Sequence, residues 1–315
     1  QGRQKGFSMN KLLAVAGISK QAMQQYFIRE DVFNTRLTGL FAEADALREV
    51  HPGCGVEKMY FVLRPDWIGR DRFIDLMMNN GYRLRSRRSF IRTTFPGIYQ
   101  YPNLAEGMLL WQKNQLWQSD ITYFRVGERF YYLAFIIDVY TKHILGYHVS
   151  DHLRAEANLK ALQMALKTSG GNINGLVHHS DRGSQYGDKE YTGLLIKNGA
   201  LISMGMKAQD NAYVESLNGI IKDEYLNHWN IASFADLKRR VKQAVNHYNH
   251  HRPHGSLPQR LSPNAFDQNI LSLNCQKRPT VIVYAEGKPE IKGSSIPFDL
   301  LPEKTSRAPV CPVVK

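Results

Sequence analysis

At 315 residues the chain is long enough for two or three domains with separate cores, and its 43% hydrophobic and 22% charged residues exclude wholesale disorder. A net charge of +13 points to a polyanionic partner, either nucleic acid or an acidic membrane face, and the lack of any run of about 18 apolar residues sets the membrane aside. Cys54, Cys275 and Cys311 are widely spaced with no C-x-x-C pair, which excludes a disulfide framework or zinc ribbon and fits a reducing cytoplasm.

The chain opens on Gln1 and its first methionine is Met9, so residues 1–8 read either as appended residues or as the join to an upstream product. Residues 11–28 read as two short helices broken at Gly17, with Ser19 as N-cap of the second. A further helix is expected over 31–50, where Val32, Leu37, Leu40, Phe41, Ala44 and Leu47 recur at helical spacing. After His51-Pro52-Gly53 comes a helix pair, Val56 to Leu63 and Gly69 to Asn80, closed by Gly81. A tight break between two helices, with Arg70 and Arg72 on the second, is the pattern of a helix-turn-helix. Directly behind it lie Arg83, Arg85, Arg87, Arg88 and Arg92 with no acid among them. A charge run ordinarily marks a solvated face; this one points to phosphate contact.

Residues 93–111 read as a linker. Beyond it the pattern turns extended, with strands expected at Leu116 to Val126, Phe130 to Asp138 and Ile144 to Val149. The second is almost unbroken in its apolar residues, as a strand buried on both faces requires. A helix with Leu159, Leu162 and Leu166 follows, then a short strand from Leu176 to His179. A helix over Lys189–Lys197, a strand at Leu201–Ser203, a helix from about Asp210 to Leu226 and a basic amphipathic helix over 233–250 complete the series. A meander of three strands followed by alternating helices and strands predicts a mixed α/β sheet. The tail holds a possible hairpin, TVIVYAEGKPEIKG, and then Pro-rich coil.

Three acids fall at informative places. Asp120 is mid-strand in WQSDIT, where a carboxylate is expensive to bury unless positive charge meets it. Asp181 lies just past the fourth strand in HHSDRGSQY, where open α/β sheets place ligands. Glu215 lies in DNAYVESLNGIIKDEY at the edge of a helix's apolar stripe, with Lys222 two turns on along the same edge. Carboxylates without Cys or paired His suit Mg²⁺ or Mn²⁺ rather than Zn²⁺. Two such ions would clamp an in-line phosphoryl displacement. His247, His250, His251 and His254 invite a zinc reading, but structural hydrogen bonding or DNA backbone contact explains them better. Trp111, Trp117 and Tyr123 read as core or linker anchors. Neither a G-x-S-x-G elbow nor a P-loop is present, which argues against a serine hydrolase beside Ser180 and against nucleotide dependence.

WQSDITY, HSDRGSQY, DNAYVESLNGIIKDEY and YNHHRPHGSLPQRLSP together resemble the signature segments of the OrfB-type transposases of insertion-sequence family three, relatives of retroviral integrases. The resemblance runs from about Tyr101 to Phe266, and more weakly over 51–92. It implies a ribonuclease-H-like mixed-sheet core with an N-terminal all-α helix-turn-helix region and a short C-terminal extension. By position it implies that Asp120, Asp181 and Glu215 are the catalytic, metal-holding triad and that Lys222, Arg252 and His254 lie with the family's DNA-facing residues. The interval from Asp181 to Glu215 is slightly shorter than usual, and Leu217 and Asn218 stand where the family commonly has an aromatic.

The expected organisation is a first helix-turn-helix-like segment over 1–30, a helical region with a second helix-turn-helix over 31–92, a linker over 93–111, the core over 112–268 and an extension over 269–315. The expected activity is metal-dependent cleavage at insertion-sequence ends and strand transfer of the 3′-OH, on terminal repeats and target DNA. A homo-oligomer on DNA, an upstream OrfA segment joined to the chain, and a bacterial cytoplasmic, nucleoid-associated setting go with it. Two rivals are a nuclease on the same fold that hydrolyses without joining, and a DNA-binding regulator with an inactive core.

Overall fold

The computed structural model describes residues 8–84, 101–171, 173–205 and 208–283. They divide into two compact units, the described residues of Gln1–Val50 and Cys54–Arg83 forming one and those of His51–Gly53 and Leu84–Lys315 the other.

The first unit is helical. Helix α1 (Met9–Ala16) stops at Gly17, whose N–H donates to the Ala14 carbonyl and whose φ of 66° turns the Ile18 N–H back onto the Leu13 carbonyl at 3.0 Å. The Ser19 hydroxyl then accepts from Ala22 N–H at 3.1 Å and starts α2 (Lys20–Val50). Sequence periodicity predicts a break near residue 30, yet α2 runs through that point for 31 residues. Its first glycine is Gly39 and it holds no proline, so nothing around Ile28-Arg29-Glu30-Asp31 stops the helix. The boundary expected between 30 and 31 therefore falls inside one element. Helix α3 (Val56–Leu63) ends at Arg64 with φ 45°, and α4 (Arg70–Asn79) follows. Leu40, Ala44, Met59, Phe73 and Met77 form the core of this unit. Only the C-terminal half of α2 contributes fully buried residues.

The second unit is built on a five-stranded sheet. A short strand β1 (Leu109–Leu110) precedes β2 (Leu116–Val126), β3 (Arg129–Asp138) and β4 (Ile144–Ser150), which pair antiparallel in sequence. Helix α5 (Ala155–Thr168) leads to β5 (Val177–Ser180), which lies parallel to β2, and α6 (Lys189–Lys197) leads to β6 (Leu201–Met204), parallel to β5. The resulting order is β4-β3-β2-β5-β6, the ribonuclease-H-like arrangement of a meander extended by two parallel strands. Helices α7 (Ala212–Glu224), α8 (Phe234–His250) and α9 (Pro263–Leu271) follow, and β7 (Val281–Ile282) closes the described chain by pairing antiparallel with β1. The tail's expected hairpin thus begins in a pairing with residues 109–110, and its remainder lies outside the described residues.

Both faces of the sheet are covered, which explains the unbroken apolar run of β3. Leu133, Phe135 and Ile137 pack against Val214, Leu217, Ile221, Leu237 and Val241 of α7 and α8. Ala134 and Ile136 turn the other way, into a cluster with Ala161, Leu162, Ala165 and Leu195 of α5 and α6. On α5 the buried stripe is Ala157, Ala161, Leu162 and Ala165; of the three leucines that sequence spacing singles out, Leu162 is buried, while Leu159 and Leu166 are half-buried. Gly146 on β4 is the reason: a Cβ there would lie 2.1 Å from the Ala161 carbonyl oxygen, so small residues are what let the helix sit this close.

Candidate active site

Strand β2 alternates its side chains, so Gln118, Asp120 and Thr122 share one face. That face meets α7. Gln118 Oε1 accepts from the N–H groups of Tyr213 and Val214 at 3.1 and 3.3 Å. Asn218 Nδ2 donates to Asp120 Oδ2 at 2.7 Å. Lys222 Nζ donates to Thr122 Oγ1 at 2.9 Å. Steps of four along a helix rise about 6 Å and steps of two along a strand about 6.6 Å, so positions 214, 218 and 222 fall in register with 118, 120 and 122. The buried Asn211 adds a bond from Nδ2 to the Ser119 carbonyl at 3.1 Å, and Gln118 Nε2 donates to the Asp210 carbonyl at 2.8 Å.

Asp181 follows the end of β5, and its Oδ1 accepts from Gly183 N–H at 2.9 Å. Glu215 lies in the first turn of α7 and is exposed. The three acids form one electrostatic cluster. Burial first, then the charge of Asp181 and that of Glu215, push the Asp120 carboxyl up to about 8, against the pull of the Ile121 N–H and Lys222. Burial raises Asp181, opposed by its bond from Gly183. Burial and then Asp181 raise Glu215. Lys222 is half-buried, and burial lowers its ammonium against the opposing charges of Asp223 and Asp120. Its Nζ also lies 5.8 Å from the centre of the Tyr123 ring.

The donor set is all oxygen, and it carries more negative charge than the one nearby ammonium offsets, which is the chemistry of a hard divalent cation. Among the described residues no three His, Cys, Asp or Glu side chains converge into a ready cation cage. Asp120 and Asp181 are each turned toward a local donor instead.

Other expected residues find different places. Arg252 is buried at 5% exposure and grips Glu224 side-on through Nε and Nη2, at 2.7 and 2.8 Å, while Nη1 donates to the Pro253 carbonyl. His51 Nε2 meets the same carboxylate at 2.8 Å. This corrects the DNA-facing expectation for Arg252, because a desolvated bidentate ion pair leaves no free fork for phosphate. His254 is engaged at both ring nitrogens, with Tyr248 at 3.2 Å and Ser256 at 3.0 Å, and so holds its own turn. His247 bonds the Tyr225 hydroxyl at 3.0 Å and His250 the Asn264 amide at 3.1 Å, as the structural reading of that cluster expects. Arg70, Arg72 and Arg83 are exposed; Arg70 pairs with Asp71 at 2.9 Å and Arg72 covers the Phe33 ring. Arg85, Arg87, Arg88 and Arg92 lie outside the described residues. Sequence reasoning missed Gln118, Asn211 and Asn218. The signal for them was an amide two residues before Asp120, one before the helix and one three residues after Glu215.

Two models of the family described as "Integrase core domain" match residues 112–209 and 201–263. The insertion element IS600 uncharacterized 31 kDa protein of Shigella sonnei is 35% identical over 205 residues, covering 63% of this chain and 75% of that protein. Transposase InsF for insertion sequence IS3A of Escherichia coli (strain K12) is 32% identical over 202 residues, covering 62% and 69%. The transposase for insertion sequence element IS629 of Shigella sonnei is 38% identical over 141 residues, but the match covers only 44% of this chain and 47% of that one. The HTLV-2 integrase catalytic core domain in complex with magnesium aligns over 50% of this chain and 97% of its own with 17% identity and a TM-score of 0.41. Fold and matched segments together define an integrase-core polynucleotidyl transferase. The chain belongs to the IS3-type insertion-sequence transposases, and its activity is that of a divalent-metal-dependent DNA transposase. No helix among the described residues is long and apolar enough to cross a membrane.

Proposed function

We propose that Asp120, Asp181 and Glu215 are the catalytic residues of this transposase and hold its metal, and that Mg²⁺ or Mn²⁺, as two ions, is the cofactor. The observation that carries the reading is the gathering of three carboxylates from a strand, a strand end and a helix, where burial first and then the charges of Asp181 and Glu215 raise Asp120 to about 8. Bound there, divalent cations would activate the attacking oxygen and neutralise charge on the phosphate. The chain's own residues set the geometry. Gln118 fixes the start of α7, Asn218 orients Asp120, and the Gly183 N–H orients Asp181. In joining, a 3′-OH at the element end attacks a target phosphodiester; one P–O bond forms and another breaks, releasing a target 3′-OH. Lys222, beside Asp120, is suited to hold the DNA backbone at the reacting phosphate.

Recognition of the terminal repeats is assigned to the helical region over 31–92, through Arg70, Arg72 and Arg83 with Arg85, Arg87 and Arg88, and to the segment over 1–30. The linker over 93–111, the core over 112–268 and the extension over 269–315 belong to the same proposal. So do a homo-oligomer bringing two ends together, an upstream OrfA segment joined to the chain, and a cytoplasmic, nucleoid-associated setting.

The test incubates the protein with labelled ends of its element and a plasmid. Mg²⁺ or Mn²⁺ should give joined products, EDTA should abolish them, and Ca²⁺ should inhibit by binding similar oxygens in looser geometry. Cut ends that are never joined would favour a nuclease, and activity that survives EDTA but not a zinc-selective chelator would return the chemistry to the histidines.

A further inference from the structure

Lys142 lies in the turn between β3 and β4, with φ 62°, and is only 6% exposed. The acid nearest it in the turn is already satisfied. Asp138 Oδ1 accepts from the Thr141 N–H and hydroxyl at 2.7 and 2.8 Å, and Oδ2 accepts from Asn114 N–H at 2.8 Å. The Lys142 ammonium goes elsewhere, 3.7 Å from the centre of the Tyr213 ring. Asp138 and Tyr213 are the titratable groups that face it. Tyr213 is the second residue of α7, two before Glu215, and its N–H is one of the two held by Gln118.

We infer that Lys142 is a positioning residue for strand transfer: its ammonium, seated on the Tyr213 ring, fixes the rotation of the first turn of α7 and so the aim of Glu215. Gln118, Asn218 and Lys222 hold the face of α7 that meets β2; Tyr213, about 100° round the helix from Val214, needs a restraint of its own. A cation against a ring on the helix surface supplies that restraint. It works only while Lys142 is charged, and burial lowers this ammonium to about 7, with Asp138 opposing. The inference rests on the reading of Glu215 as a catalytic carboxylate.

The test uses the full chain with Lys142→Met and Lys142→Arg, followed by amide hydrogen exchange, melting temperature and single-turnover joining from about pH 6 to 9. Lys142→Met removes a buried charge and should melt no lower than wild type. Its Tyr213 and Val214 amides should nonetheless exchange faster, and joining should slow by roughly 10-fold or more, as a small misplacement of a catalytic group allows. Wild-type joining should decline as pH rises above neutral, whereas Lys142→Arg, which stays charged, should hold its rate. Unchanged exchange and rate in Lys142→Met, or a wild-type decline in Lys142→Arg, overturns the inference. If Lys142→Met does not fold, the Lys142→Arg profile decides alone. An active Glu215→Gln would sink the triad reading and leave the exchange result standing, whereas an inactive Glu215→Gln beside a wild-type Lys142→Met would sink this inference only.

Discussion

Arg252 and Glu224 are 28 positions apart in the chain, yet each is the other's partner, with His51 on the same carboxylate. From sequence, Arg252 in HHRPHG looks like a basic residue free to meet phosphate, because its acid is remote and sits on a different helix. Arg252→Ala should therefore take the bidentate partner from a largely buried carboxylate that His51 also meets, and destabilise the fold by up to about 3 kcal/mol, measured by chemical denaturation. It should leave the salt dependence of DNA binding where it was; a reduced slope with wild-type stability would restore the phosphate role. Asn218 is the complementary case. A polar residue three after Glu215 reads as surface, but it donates to Asp120, and only the facing strand reveals that.

At the scale of elements, most of the core was legible. Strand β2 and helix α6 occupy the predicted spans, and β3, β4 and α8 differ by a residue at one end, because their periodicities are strong and turn residues bound them. The site's scaffold was legible as strand, strand end and helix, since each acid lies in a long motif. The amides at Gln118 and Asn211 were not, because their meaning depends on the fit of helix rise to strand rise between β2 and α7. Helix α2 escaped because no residue near 30 forces or forbids a break, and propensity decides nothing there. The contact of α5 with β4 escaped because a glycine in a strand says little until its neighbour is known. Gly146→Ala should cost at least the 1–3 kcal/mol of an overpacked core, since the clash is with backbone that cannot rotate away. A wild-type denaturation midpoint would show that the helix can lift from the strand freely.

For the whole molecule, two ionic properties can be measured. His178 and His247 are held at about 3, and His143 and His179 at about 4, burial being the first cause in each. Unfolded, they would titrate near 6.5. Between those values the unfolded chain binds more protons, so their contribution to stability is full above about pH 6.5 and falls as pH drops toward 4. The raised carboxyls of Asp120, Asp181 and Glu215 work in the opposite direction, so the check is the NMR titration of the imidazoles themselves: all four should stay neutral down to about pH 5, and protonation near 6.5 would mean they are charged in the fold. The excess of basic residues should appear in DNA binding. Neutralising Arg83, Arg85, Arg87 and Arg88 together should reduce the salt slope by about one unit per lost phosphate contact. An unchanged slope would make that run a solvated face. The central claim, that three carboxylates perform the transfer while other residues bind DNA, is tested most directly by single-turnover joining of pre-cleaved ends with Asp120→Asn, Asp181→Asn and Glu215→Gln. Each variant should bind those ends like wild type and yield no joined product; wild-type joining by any one of them would remove that residue from the site.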